Sequence, residues 1–167
     1  MKKIALFLLT LIIILSISAC KEAENAQNTV SFYYRAAQLD YSISGSTIVA
    51  ESRNADDFSS WEEALSVYLA GPVGTNVINP FPSNLRLVSA TMDGNNLLLT
   101  FSDELGELSG LDLTIASCCI AKTAMALTDA TIVSISAESA LLGGEKMITL
   151  DENAMSLLDT TQQGKGE

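Results

Sequence analysis

Histidine is absent from this 167-residue chain. That removes Ser-His-Asp and Cys-His catalysis, together with every imidazole metal site. Cysteine is nearly absent as well, with Cys20, Cys118 and Cys119 the only three. The last two are adjacent, and neighbours on one chain can bond to each other only through a strained ring. Both fall in a helical pattern, where buried free cysteine behaves as a small hydrophobe. Basic residues are also scarce, nine against 20 acidic ones, for a net charge of −11. Phosphate neutralisation needs clustered Lys and Arg, so nucleic acid is excluded as a partner. The same surface disfavours lying flat on anionic lipid. Aromatics make up only 6% of the residues, and most lie in core patterns, which argues against an exposed aromatic platform for wall sugars.

Long apolar runs are rare too, and the one that exists stands at the start. Lys2 and Lys3 precede an almost wholly apolar stretch from Ile4 to Ile17, which closes on Ile17-Ser18-Ala19-Cys20. A charged start, a short apolar core and small residues before a cut make a secretory signal peptide. The stretch is shorter than the ~20 residues a bilayer span requires. Because a cysteine stands at the cut, Ile17-Ser18-Ala19-Cys20 looks like a bacterial lipobox. That implies a diacylglyceryl group on the Cys20 sulfur and cleavage before it. Two acyl chains hold stably where one would bind only marginally. The expected organisation is a lipoprotein signal peptide over residues 1–19, a tether over 20–28, one domain over 29–151 and a polar tail over 152–167. The expected location is the extracytoplasmic face of the cell membrane.

Within the domain, Val30 to Arg35 alternates and predicts a strand, and Thr47 to Arg53 predicts its hairpin partner across Ser44-Gly45-Ser46. Ser59-Ser60-Trp61-Glu62-Glu63 carries two overlapping capping boxes. Trp61, Leu65, Tyr68 and Leu69 then share one helical face, with Trp61 at least half buried against the sheet. Gly71-Pro72 stops that helix. Leu85 to Met92 and Leu97 to Ser102 flank the turn Asp93-Gly94-Asn95-Asn96 as a second hairpin. Ser109-Gly110-Leu111-Asp112 resembles a capping box and opens a second helix, with Leu113, Ile120, Ala124 and Leu127 at helical spacing. Thr131 to Ala137 is a fifth strand, and Lys146 to Leu150, after Gly143-Gly144, a sixth. The order β-β-α-β-β-α-β(-β) predicts an α+β two-layer sandwich: one mixed sheet of five to six strands with both helices on one face.

Several of these segments together resemble the GerMN domain family of sporulation and spore germination lipoproteins. Val67-Tyr68-Leu69-Ala70-Gly71-Pro72 is similar to its helix end, and Pro82 to Val88 to the strand that follows. Asp93-Gly94 resembles its hairpin turn, and Leu99-Thr100-Phe101-Ser102-Asp103-Glu104 its next strand end. Thr123 occupies the position of its helix threonine, and Val133-Ser134-Ile135 that of its late strand. Phe32-Tyr33-Tyr34 and Arg53 fit its opening strands. The resemblance runs from Val30 to Ala137 and covers a single copy of the domain. It implies a fold akin to ring-building modules, which pack against partner proteins or copies of themselves and carry no catalytic residues. By their own chemistry, Gly71, Pro72, Pro82, Asp93 and Gly94 are simply helix-stop and turn residues.

The remaining candidates are carboxylates. Asp103, Glu104, Glu107 and Asp112 crowd the approach to the second helix, and Asp56, Asp57, Glu62 and Glu63 the approach to the first. Neither set has the alternate spacing and distal glutamate of a calcium loop, and acids before a helix suit its dipole. No metal, cofactor or catalytic residue is therefore expected. The sequence predicts a non-catalytic, lipid-anchored assembly or protein-interaction module of the cell envelope, with envelope proteins or further copies as partners. The alternative is a lipoprotein that holds a cell-wall fragment or small solute.

Overall fold

The computed structural model describes residues 28–38 and 47–155. The Ser44-Gly45-Ser46 turn and Cys20 lie outside them. Strand β1 (Thr29–Ala36) pairs antiparallel with β2 (Ile48–Asn54), from Thr29 opposite Asn54 to Arg35 opposite Ile48. A 3-10 turn, Ala55–Asp57, leads to helix α1 (Trp61–Leu69). Its start forms as expected: the Glu63 N–H donates to Ser60 Oγ, the N-cap, at 3.3 Å. The Glu63 carboxylate turns back one residue further, accepting from the N–H and hydroxyl of Ser59. Its end also forms as expected, with Gly71 at φ +110°, a left-handed stop that L side chains resist.

Strand β3 (Val77–Ile78) lies in what reads as a loop and pairs with β1 only at Arg35 and Ala36. Strands β4 (Leu87–Asp93) and β5 (Asn96–Phe101) form the second hairpin across Gly94-Asn95, with a bulge between Leu87 and Ser89. A 3-10 turn, Asp103–Glu107, precedes helix α2 (Gly110–Leu127), and β6 (Ile132–Ala137) and β7 (Ile148–Asp151) follow. Strand β6 runs parallel to β5, with α2 as the crossover that parallel pairing needs. The short helix α3 (Glu152–Met155) buries Met155, so packing reaches past the expected boundary at 151.

The molecule is an α+β sandwich with the expected order of main elements, but its strands form two sheets rather than one. The first has the order β2-β1-β3 and the second β4-β5-β6-β7. The reason is at the open edge of β1. Beyond its short pairing with β3, the Tyr33 N–H donates to Thr123 Oγ1 on α2 at 2.9 Å. The Tyr33 carbonyl accepts from the Tyr68 hydroxyl on α1 at 2.7 Å. Side chains of the two helices thus take the place of a neighbouring strand and close the edge. Helix α2 accordingly bridges the sheets, touching β1 of one and β6 and β7 of the other. It is buried well beyond a single stripe, from Leu113 through Ile115–Ala121 to Thr123 and Ala124, as a helix enclosed by other elements must be. Its length and hydropathy would also suit a membrane span, yet more than half of it is buried within this domain.

The core runs continuously across both layers. Leu97, Leu99 and Phe101 face inward beside Val133, Ile135 and Ala137 of β6, while Phe32, Tyr34, Tyr68 and Phe81 form an aromatic cluster against α1. Trp61 is more than half buried, as expected, packed against the core beside the β4–β5 turn and the end of α2. A close approach occurs at Gly106, where an added Cβ would sit 2.6 Å from Ala140 Cβ. Gly106→Ala should therefore cost about 1–3 kcal/mol, as overpacking does, seen as a lower midpoint in chemical denaturation. An unchanged midpoint would show that the segment around Ala140 yields freely.

Candidate functional site

The residues singled out by sequence serve different places in the fold. Gly71 ends α1 and packs on the Asn79 side chain, with Pro72 beside it. Pro82 opens a turn in which its carbonyl accepts from the Leu85 N–H at 3.3 Å. Asp93 and Gly94 form the exposed β4–β5 turn. Buried Ser102 accepts from the Arg86 N–H at 3.1 Å and hydrogen-bonds the Glu104 carboxylate. It extends the β4–β5 pairing and steadies the following 3-10 turn. These residues do not converge on one cleft.

Thr123 does lie at a convergence. It accepts from the Tyr33 N–H, hydrogen-bonds the Tyr68 phenol, and is fully buried. The Tyr68 hydroxyl donates to the Tyr33 carbonyl, and the Tyr34 hydroxyl donates to the Tyr68 carbonyl at 2.9 Å. Burial pushes both phenols well above their ordinary range, so both remain proton donors at any physiological pH. The arrangement joins α1, α2 and β1 and has no nucleophile beside a base. It is a structural knot.

Sequence reasoning missed Glu51. Its carboxylate accepts from the Gly74 N–H at 2.6 Å, the Val73 N–H at 3.2 Å and the Arg53 guanidinium at 2.5 Å. Arg53 in turn lies over the Phe32 ring, 5.6 Å from its centre. Burial pushes the Glu51 carboxyl upward, but the bonds from Gly74, Arg53 and Val73 outweigh it and leave its pKa below the ordinary value. Glu51 and Arg53 stand at i and i+2 on one face of β2, a spacing visible in the sequence. Their backbone partners after α1 are not.

The acidic groups disperse in the same way. Asp103 accepts from the N–H groups of Ser139 at 2.7 Å and Ala140 at 2.8 Å, which hold its pKa low. Asp112 pairs with Arg35 at 3.1 Å instead of capping its own helix, and Ser109 makes no side-chain cap, so the predicted capping box does not form. Glu107 lines a groove with Arg35, Phe81 and Pro82. Asp56 accepts from Asn28, and Asp57 from Asn54. Among the described residues, no three of Cys, Asp and Glu gather as a metal ion would require. Cys118 and Cys119 are buried free thiols, and burial pushes both thiols up, so they stay protonated and weakly nucleophilic.

An open groove of about 560 Å³ is lined by Trp61, Met92, Gly94, Ala126, Leu127, Thr128 and Asp129. A second, of about 640 Å³, lies on the other side of Ala126 and is lined by Tyr33, Lys122, Met125, Asp151 and Met155 among others.

This architecture defines a small α+β sandwich domain with two sheets joined by a crossover helix. Among solved structures it is similar to the tandem GerMN domains of the sporulation protein GerM from Bacillus subtilis, with a TM-score of 0.52 and 15% identity. The match covers 77% of this chain and 47% of that one, so the chain spans about half the length of the tandem structure. A Clostridium perfringens protein described as a lipoprotein also aligns, at a TM-score of 0.44 and 16% identity, over 78% of this chain and 91% of its own. No family model and no curated protein matches the chain.

Proposed function

We propose that this protein is a single-copy GerMN-like domain, lipid-anchored through Cys20 outside the cytoplasm, and that it acts without catalysis by binding partner proteins of the cell envelope. The observation that carries the reading is the shared fold with GerM, together with the roles its motif residues play here. Gly71 and Pro72 stop α1, Asp93 and Gly94 turn the hairpin, and Thr123 ties α2 to β1. All of them build the fold and leave the surface as the working part. Anchoring supports the same reading, since confinement at a membrane raises the effective concentration of neighbours and lets weak contacts count. With seven basic against 20 acidic residues beyond the leader, copies repel one another at low salt, so a basic partner would favour assembly more than self-association would.

Expressed with its leader, the protein should partition into detergent, and Cys20→Ala should abolish that partitioning. A native protein that stays in the aqueous phase with Met1 intact would refute the anchor. Pull-down of the anchored protein after cross-linking in its own envelope should recover a defined envelope protein. Recovery of only a peptidoglycan fragment or small solute would replace the assembly reading with that of a ligand-binding lipoprotein.

A further inference from the structure

We infer that the groove between the start of α1, the β4–β5 turn and the end of α2 is the docking site for a basic, apolar-anchored segment of a partner protein. The inference rests on the assembly reading above and names the surface and the chemistry of its partner. The floor is apolar: Trp61 is only partly buried, Met92 is 41% exposed on a strand edge, and Leu127 and Ala126 complete it. A partly buried tryptophan beside an exposed methionine in one concave place is a surface that a partner's aliphatic or aromatic anchor fills.

The rim decides the partner's charge. Asp129, exposed at the end of the helix, is the carboxylate that lines the groove. Helix α2 ends there, with Leu127 and the C-cap Thr128 in the lining and no basic residue in its last turn. The negative end of its dipole therefore adds to the Asp129 carboxylate. No Lys or Arg lines this groove among the described residues. An apolar anchor flanked by Lys or Arg satisfies both the floor and the rim. An acidic segment would meet like charge at close range, which costs affinity and slows encounter.

The test uses the full chain in non-ionic detergent and a library of short random peptides. Selected peptides should carry an aliphatic or aromatic residue flanked by Lys or Arg. Once synthesised, they should saturably change the emission of Trp61, the chain's only tryptophan, and weaken as salt rises from about 0.05 to about 0.5 M. Met92→Lys and Asp129→Lys, both at exposed positions, should each weaken binding about tenfold or more while leaving the melting temperature unchanged. Selection without Lys or Arg enrichment, failure to select any binder, or binding intact in both variants would overturn the inference. The envelope pull-down separates the two claims. A partner recovered equally by wild type and Met92→Lys overturns the groove and leaves the assembly reading standing. No partner with either protein overturns the assembly reading, while the peptide result still judges the groove.

Discussion

Tyr68→Ala should destabilise the domain by about 3–5 kcal/mol, the range for truncating a large buried aromatic. Against a stability of about 5–15 kcal/mol typical of single domains, that leaves little or no margin. Tyr68 is fully buried on α1. Its ring centre lies 5.3 Å from Phe32, 4.9 Å from Tyr34 and 5.1 Å from Phe81, so truncation opens a cavity shared by three aromatic neighbours. Its hydroxyl also holds the Tyr33 carbonyl at the open edge of β1. Tyr68→Phe separates these roles. It keeps the ring and removes the donor, leaving a strand-edge carbonyl and part of Thr123 unsatisfied, at a cost of about 1–3 kcal/mol. Denaturant unfolding of both variants checks the ordering. Equal losses would mean that packing contributes little beyond the hydrogen bond, and no loss in Tyr68→Phe would mean that water closes the edge equally well.

That edge also explains what the sequence could and could not reveal. The first helix was legible because Ser60, Glu63 and Gly71-Pro72 act locally, through bonds within a few residues. The second hairpin was legible for the same reason, since its turn residues Gly94-Asn95 join strands that pair with each other. The division into two sheets was not. It depends on Tyr33 meeting Thr123, 90 residues away, and Tyr68, 35 residues away, so alternation along β1 says nothing about it. Strand β3 escaped notice because two residues, set among asparagines and prolines, carry no periodicity. In α2 the stripe through Leu113, Ile120 and Ala124 is real, but Ile115, Cys118 and Cys119 are buried as well. A run of small apolar residues around a whole helix was the available sign of a helix enclosed on several sides. Of the site residues, Thr123 is the one whose partners lie on both β1 and α1, far from it in the chain. Cys20 lies outside the described residues, and the groove at Trp61 and Met92 needed the tertiary arrangement to exist at all.

Glu51→Ala should cost about 2–3 kcal/mol at neutral pH, because it removes charge-assisted hydrogen bonds and strands their donors. The Val73 and Gly74 N–H groups would lose their acceptor, and Arg53, whose side chain is only 20% exposed, would keep Phe32 but lose its counter-ion. The loop after α1 would then be pinned to β2 far less firmly. The pH dependence gives an independent check. The folded pKa of Glu51 lies below the ordinary value of 4.5, so the unfolded chain binds a proton more readily than the folded one. The contribution is therefore fully present above the unfolded value of 4.5 and is lost as pH falls below it through the folded value. Glu63, Asp103 and Glu104 are lowered too, by hydrogen bonds with Ser59, with Ser139 and Ala140, and with Ser102, but they are common to both proteins and cancel in the difference. Unfolding free energies of wild type and Glu51→Ala, measured from about pH 7 to about pH 3, should differ most at neutral pH and converge under acid. A constant difference across that range would place the cost in lost packing and deny the carboxylate its role as the anion that holds Val73, Gly74 and Arg53 together.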